Sequence, residues 1–499
     1  MLPRRYIRQL RDPGPPARLI PHDSKRPCAP TITCDSGSFC DPSAMCTPAA
    51  CRGRVRINVG GRVFETTAAT LSSAGRDTML GAMVDASWNA CPDGAAEYFI
   101  DRDPACFAVL LDLLRTGALH VPPGVPEATL YREALYYGLL DRVRAARLGE
   151  LDGDRVRLAA SVPGRAPGDG TAVRAAPDGG CCVAHGGAVR VYNWMLEERR
   201  PVCLAHAPVN DAAYLDAATL LVAARERPGR RDGHDGGVAA FSALTGGLRH
   251  RFRVAHARQP RSFTAGALAF DGGGGSGCAV FASCKGRLNE YGVGVWDRNT
   301  GEQADFFYEP PGCALGDADR LQWLDGTGAL MVATMFPRAD SSSISLLDFR
   351  DRSVVWSWSD VGTPASLEDK HAVHAVAMED GRSVCVINQY DDLGFLDLRS
   401  SAGGVRWRSR SKLAAGGKAK ALGEEVCYPK LATYGGQLFA STGDAISVFS
   451  GPDHVLTSTL RRSEGGAICD FSIGGDRIFA LHSDENVFDV WETPPPAII

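Results

Sequence analysis

Residues 54 to 67 alternate between apolar and polar side chains, and this pattern predicts a β-hairpin. Every second residue of 54–59 is apolar, which is the period-two pattern of a half-buried strand. Gly60 and Gly61 follow at once, and glycine adopts the positive backbone dihedrals that a tight hairpin turn needs. Residues 62–66 then read as the returning strand.

A series of short helices is predicted after this hairpin. Residues 68–74 and 78–83 are short helical stretches, and 98–100 form a brief strand. Asp103 marks the start of a longer helix, because its carboxylate can accept the free N–H groups of the first turn and Pro104 suits the first helical position. The following apolar residues recur at a spacing of three and four, which makes one helix face. They are Phe107, Leu110, Leu111 and Leu114.

Together these segments resemble the BTB/POZ domain of the potassium-channel tetramerisation type. The resemblance covers residues 54–148 and rests on NVGGRVFETT, YFIDRDPACFAVLLDLLRTG and EALYYGLLDRV. It implies a small α+β domain whose members self-associate into closed rings, here of about four or five subunits. It also implies that the domain binds the scaffold protein cullin-3, as many soluble members of the family do.

Two features separate this chain from the channel members of that family. Channel members hold zinc between subunits through a histidine and a closely spaced cysteine group, and no such group follows Tyr137. We therefore expect no zinc between subunits, and no other metal or cofactor is expected, because the remaining sequence contains no phosphate-binding loop or metal-ligand motif. A membrane-spanning helix needs roughly 20 apolar residues, and a typical long apolar run here is only 329–336. We therefore expect no membrane association.

The resemblance also suggests two interaction surfaces. Asp101, Arg102 and Asp103 lie near the subunit boundary in the family, and alternating charges there can fix the register of a ring. The alternative is that Asp103 only caps its helix while its two neighbours are solvated. Cullin-3 contact is expected around Met83 and Trp88. The alternative for Met83 is ordinary core packing, whereas Trp88 lies in a polar loop.

The remainder of the chain contains a β-rich repeat. Seven strand motifs recur about every 40 to 56 residues, which is close to the period of WD40-type propeller blades. The motifs are 189–192, 238–241, 293–297, 344–348, 394–397, 446–449 and 487–491. The resemblance to WD40 proteins is degenerate, since Trp296-Asp297 is the one literal WD pair. It predicts an all-β propeller of seven blades over residues 153–493, with six or eight blades as alternatives.

The last predicted blade is one strand short. Pro494, Pro495 and Pro496 follow its third strand, and proline donates no hydrogen bond to a sheet ladder. Residues 154–160 alternate like a strand and have no partner of their own. We therefore predict that they complete the last blade and close the ring, which removes two exposed sheet edges.

The first 53 residues differ from the rest in composition. They are rich in Pro, Arg, Ser and Cys and lack periodicity, which is typical of a disordered extension. Five cysteines recur about every six residues, a spacing that does not match the close pairs of structural zinc sites. They are Cys28, Cys34, Cys40, Cys46 and Cys51. The basic start of the chain is also similar to a transit peptide, but Asp12 and Asp23 argue against that.

Composition and charge restrict the remaining possibilities. The chain of 499 residues has a net charge of -4 and sixteen scattered cysteines. The charge argues against a nucleic-acid partner, and the cysteines without a secretory segment favour the cytoplasm, the nucleus or both. His371 and His374 have a helical metal-pair spacing in a β-rich repeat, so we interpret them as structural. The sequence lacks a nucleophile elbow and a His-Glu-x-x-His run, and no enzymatic activity is expected.

These expectations combine into one functional hypothesis. The chain is predicted to be a self-associating substrate adaptor of a cullin-3 ubiquitin ligase, in which the propeller recruits an unknown target protein. Such an adaptor works by proximity and needs no catalytic residue. The alternative is an oligomeric scaffold for signalling or transcription that does not bind cullin-3.

Overall fold

The computed structural model describes most of the chain after residue 53. The described residues are 54–75, 78–84, 97–148, 151–164, 170–204, 208–225, 237–256, 259–261, 263–271, 279–286, 291–308, 315–337, 339–361, 371–400, 404–408, 427–483 and 487–494. The predicted extension 1–53 with its five cysteines lies outside them, and so does Trp88.

The amino-terminal part of the described chain is a small α+β domain. Its sheet has the strand order β2–β1–β3, with β1 antiparallel to β2 and parallel to β3. The strands are β1 (Arg54–Val59), β2 (Arg62–Thr67) and β3 (Glu97–Ile100). The helices are α1 (Ala68–Ser72), α2 (Met79–Met83), α3 (Pro104–Thr116), α4 (Glu127–Tyr137) and α5 (Leu140–Leu148).

The turn between β1 and β2 requires glycine for two reasons. Gly60 and Gly61 have φ values of 55° and 90°, which side chains larger than hydrogen rarely tolerate. A Cβ atom on Gly60 would also lie 2.5 Å from the carbonyl oxygen of Arg102. The turn is therefore packed against the segment that joins β3 to α3, and the Gly60 N–H donates to Ile100 O at 2.9 Å.

The core of this domain lies between the sheet and helices α3 and α4. Ile57, Leu110 and Phe107 are fully buried, in agreement with the apolar face predicted for α3. The Phe107 ring packs against Phe64 and Tyr137 at centroid distances of 5.0 and 5.3 Å. Aromatic contacts of this kind join β2, α3 and α4 into one packed unit.

The larger part of the described chain forms seven four-stranded antiparallel sheets. A strand β4 (Arg157–Pro163) precedes them. The first blade contains β5 (Gly170–Ala175), β6 (Cys181–His185), β7 (Ala188–Tyr192) and β8 (Val202–Cys203). The second contains β9 (Val209–Asp216), β10 (Thr219–Ala224), β11 (Gly237–Ser242) and β12 (Leu248–Phe252), and it is followed by a hairpin of β13 (Val254–His256) and β14 (Gln259–Arg261).

The other five blades repeat this arrangement. The third contains β15 (Phe263–Phe270), β16 (Ala279–Gly286), β17 (Tyr291–Asp297) and β18 (Gln303–Tyr308), and a 3-10 helix (Leu315–Asp317) follows. The fourth contains β19 (Arg320–Leu324), β20 (Ala329–Thr334), β21 (Ser343–Asp348) and β22 (Ser353–Ser359). The fifth contains β23 (Ala372–Ala377), β24 (Ser383–Asn388), β25 (Leu393–Asp397) and β26 (Arg406–Arg408). The sixth contains β27 (Lys430–Tyr434), β28 (Gln437–Thr442), β29 (Ala445–Ser450) and β30 (Val455–Arg461). The seventh contains β31 (Ile468–Gly474), β32 (Arg477–His482) and β33 (Val487–Glu492), with β4 as its outer strand.

The fold predicted from the sequence, a small α+β domain followed by a seven-bladed all-β propeller, is confirmed. The first strands of neighbouring blades contact each other around the ring, and β31 contacts β5 to close it. Strand β4 pairs antiparallel with β33, with Leu158 opposite Trp491 and Pro163 opposite Val487. It begins three residues later than the segment 154–160 that the sequence suggested for this role.

Candidate functional site

The motif Asp101-Arg102-Asp103 lies where β3 leads into α3. The Asp103 side chain accepts the N–H of Ala105 at 2.7 Å and that of Cys106 at 3.5 Å. This is the N-cap that the sequence predicted, and it stabilises a helix by about 1 kcal/mol. Asp101 is exposed, so its carboxylate is accessible to another molecule.

Arg102 contacts helix α4 within the same domain. Its guanidinium donates through Nε to Glu133 Oε2 at 3.1 Å and forms an ion pair with Glu133 Oε1 at 2.9 Å. The same guanidinium lies over the Tyr136 ring at 4.2 Å, a favourable cation–π geometry. Arg102 therefore joins the β3–α3 segment to α4, and its part in subunit contacts stays a prediction.

An exposed apolar surface lies beside this motif on the outer face of the sheet. Asn58 is opposite both Val63 on β2 and Phe99 on β3, so these residues share one face. Phe99 is 67% exposed and Val63 is 42% exposed. The two side chains form a small exposed apolar pair on this face of the sheet.

Of the two residues suggested for cullin-3 contact, the structure describes Met83 and does not describe Trp88. Met83 ends helix α2 and is only 6% exposed, because it packs into the core of the domain with Leu80. The packing interpretation therefore accounts for Met83, and a direct contact by this side chain has no support in its exposure. Trp88 lies outside the described residues, so its suggested role stays a prediction.

The α+β domain is packed directly against the propeller. Trp194, which follows β7 of the first blade, belongs to the apolar core of the domain and contacts the Tyr131 ring edge-on at 5.0 Å. Arg144 of α5 donates through Nε to Asp476 Oδ2 at 2.9 Å and through Nη2 to the other oxygen of the same carboxylate. The sequence did not indicate this contact, because its partners are separated by 332 residues.

The Arg144–Asp476 ion pair is buried and geometrically restricted. The two side chains are only 5% and 9% exposed. Arg144 Nη1 also donates to Asp178 O at 3.0 Å. A Cβ atom on Gly179, whose φ is 82°, would lie 1.5 Å from the guanidinium. Burial and bidentate geometry together hold α5 in one orientation on the first and seventh blades.

A polar cavity of about 870 Å³ lies inside the propeller and is lined by residues from the first strand of every blade. Arg174 of β5 forms ion pairs with Asp211 at 2.6 Å and with Asp470 at 2.5 Å, and Lys430 contacts Asp470 at 2.9 Å. Burial alone would raise the pKa of Asp470, but the charges of Arg174 and Lys430 hold it well below its usual value. Arg320 and His374 also line this cavity.

The described residues were compared with the requirements of a metal site and of a membrane-spanning helix. No group of three or more His, Cys, Asp and Glu side chains there is placed to hold a metal ion. None of the described helices is long and apolar enough to cross a membrane. His371 instead contacts Asp360 through Nδ1 at 2.9 Å, a pairing inside the propeller.

Comparison with known proteins covers both parts of the chain. The family described as At2g24240-like, C-terminal beta propeller, matches residues 164–493, and the BTB/POZ domain matches residues 55–145. The BTB/POZ domain-containing protein At2g24240 of Arabidopsis thaliana is 59% identical over 448 residues, which cover 90% of this chain and 99% of that protein. The chain belongs to the At2g24240-like family of BTB/POZ proteins.

Other relatives extend this family assignment. A second relative, the BTB/POZ domain-containing protein At4g30940 of Arabidopsis thaliana, is 57% identical over 89% of this chain and 99% of its own length. The human BTB/POZ domain-containing protein KCTD21 is 36% identical over 99 residues, which cover 20% of this chain and 38% of that protein. The resemblance to BTB/POZ proteins of the tetramerisation type is thus confirmed.

Proposed function

We propose that this At2g24240-like protein is a substrate adaptor of a cullin-3 ubiquitin ligase. Its combination of a BTB/POZ domain and a β-propeller supports a protein-interaction adaptor. In the proposal the BTB domain binds cullin-3, and the propeller recruits the protein that is to be ubiquitinated. The similarity of its BTB domain to KCTD21 is consistent with such a role.

The observation that supports this proposal most is the buried contact between the two domains. Arg144 and Asp476 hold the BTB domain on the blades that close the propeller ring. A protein bound to the propeller would therefore have a restricted position relative to a ligase bound to the BTB domain. Restricting both partners raises the effective concentration of the target near the charged ubiquitin carrier.

A direct titration tests cullin-3 binding. The full chain is titrated with the amino-terminal domain of cullin-3 by calorimetry, and we expect binding at micromolar concentration or tighter. Absence of heat and of co-elution at that concentration would exclude the ligase role. The oligomeric scaffold would then be the remaining candidate, since it needs the BTB domain only for self-association.

Self-association belongs to the same proposal, because BTB/POZ family membership implies it. The outer sheet face with Phe99 and Val63 is the proposed contact surface, next to Asp101 and Arg102. We expect Phe99→Asp to reduce the particle mass in light scattering, since a charge would have to be buried in each subunit contact. Arg102→Glu is less informative, because it also places a carboxylate against Glu133.

A matched control separates this effect from general changes in surface charge. Leu244 is 56% exposed in the turn between β11 and β12 of the propeller, so Leu244→Asp adds the same charge elsewhere. This variant should keep the mass of the unsubstituted protein. If Phe99→Asp also keeps that mass, the outer sheet face is not the subunit contact.

A further inference from the structure

Some of the charged side chains that line the propeller cavity form ion pairs with one another, and others do not. Asp470 accepts from Arg174, Lys430 and the backbone N–H of Val173. Asp211 accepts from Arg174 and from the N–H groups of Ala212 and Leu268. The carboxylates of Asp211 and Asp470 are thus paired, together with Arg174 and Lys430.

Arg320 is different, because it is absent from the ion pairs that join Arg174, Lys430, Asp211 and Asp470 among the described residues. It begins β19 and lines the cavity, and its Nε atom is buried without a hydrogen-bond partner. Burial, followed by repulsion from Arg174, lowers the pKa of Arg320 despite the attraction of Asp211 and Asp470. Arg320 as a whole is only partly buried, but a cation whose buried donor lacks a hydrogen-bonded partner is still unfavourable for folding.

His374 adds a second donor to the same cavity. Its Nδ1 atom accepts the backbone N–H of Leu431 at 3.1 Å. Burial and the nearby charges of Arg320 and Lys430 hold the pKa of His374 well below its usual value, which agrees with the neutral ring that an accepting Nδ1 requires. In a neutral imidazole with Nδ1 accepting, Nε2 carries the hydrogen. Nε2–H therefore remains a donor, and no described residue accepts from it.

We propose that the propeller cavity binds a small oxyanion, a carboxylate or a phosphate group, between the Arg320 guanidinium and Nε2–H of His374. A guanidinium donates two parallel hydrogen bonds to either group. A volume of about 870 Å³ lies within the range of small-molecule sites. The carboxylates of Asp211, Asp319 and Asp470 also line the cavity, so a group of low charge fits better than a polyanion.

Calorimetric titration of the full chain tests this site. The two probes are inorganic phosphate and succinate, each added at constant ionic strength against sodium chloride. We expect at least one probe to bind, and binding of one alone assigns the phosphate or the carboxylate class. Arg320→Gln should weaken that binding about tenfold or more, because hydrogen bonds to charged groups contribute strongly. His374→Phe should weaken it less, since it removes one donor.

Thermal unfolding distinguishes a ligand site from a purely structural arginine. In chloride alone, Arg320→Gln should melt at the same temperature as the unsubstituted protein or higher, because it removes a partly buried charge whose Nε has no hydrogen-bond partner. A structural arginine would instead lower the melting temperature. Arg320→Lys gives a second variant, which keeps the charge and loses the paired donors, so it should also bind more weakly.

Arg399→Gln is the matched control, because Arg399 is an arginine on the propeller surface that pairs with Asp397. It should bind the probes as the unsubstituted protein does. The site is refuted if neither probe binds, or if Arg320→Gln binds as tightly as Arg399→Gln. These outcomes are independent of cullin-3 binding, so they do not depend on the proposed ligase role.

Discussion

Asp489 connects three strands of the blade that closes the propeller. Its carboxylate accepts from Ser161 of β4 at 2.7 Å and contacts Nε2 of His482 on β32 at 3.0 Å. The serine hydroxyl meets the carboxylate and not the imidazole, so the arrangement is not that of an activated nucleophile. The sequence did not reveal this network, because Ser161 and Asp489 are 328 positions apart.

The ionisation of Asp489 makes propeller stability depend on pH. Burial would raise the pKa of Asp489, but hydrogen bonds from His482 and Ser161 lower it below the usual value. A carboxyl group whose pKa is lower in the folded state stabilises the fold above its unfolded pKa, near 4, and this contribution is lost as pH falls through the folded value.

We therefore predict that Asp489→Asn destabilises the protein in a pH-dependent way. At pH 7 the free energy of unfolding should fall by about 2 kcal/mol, the scale of a hydrogen bond to a charged group. The difference between the two proteins should shrink as the pH is lowered below about 4. Denaturant unfolding at several pH values measures it, and a difference that stays constant down to pH 2.5 would contradict this role.

At the level of elements, the closing strand shows what sequence patterns can and cannot reveal. Alternation predicted a strand before the first blade, and the prolines after β33 indicated that a partner was needed. The exact span of β4 was not predictable, since most of its residues are exposed. The strand therefore lacks a pattern of buried apolar residues that begins and ends with it. Val156 just before it is buried against the sixth and seventh blades.

Removing this strand should weaken the whole propeller. Two truncated chains that both lack the BTB domain can be compared. The chain that starts at residue 151 retains β4 and is the control, whereas the chain that starts at residue 164 lacks β4. We expect the shorter chain to melt several degrees lower, because β33 would become an exposed edge and Asp489 would lose Ser161. Equal melting temperatures would show that β4 does not stabilise the ring.

For the whole molecule, the sequence was sufficient to recognise the two domains. It did not reveal the contact that joins them. Periodicity and family resemblance were sufficient for the BTB domain and the blades, because each depends on local patterns. The Arg144–Asp476 pair and the packing of Trp194 depend on contact between the two domains, and the cavity around Arg320 depends on ring closure. No local pattern records such distances.

The buried pair predicts a non-additive effect on stability. Arg144→Met alone should lower the free energy of unfolding by about 3 to 5 kcal/mol, since it leaves the Asp476 charge buried and unpaired. The double variant Arg144→Met/Asp476→Leu should recover most of that loss. Arg399→Met, which breaks a surface pair, should change stability little. Denaturant unfolding of the unsubstituted protein, Arg144→Met, Asp476→Leu and the double variant measures the coupling, and additive losses would contradict a buried pair.

The adaptor proposal as a whole depends on one particle containing several protomers and cullin-3. Light scattering coupled to size-exclusion chromatography measures the mass of the full chain alone and after addition of the amino-terminal domain of cullin-3. The account predicts about four or five times the protomer mass of 53.1 kDa, increased by up to one cullin domain per protomer. A mass that does not change when cullin-3 is added would contradict it.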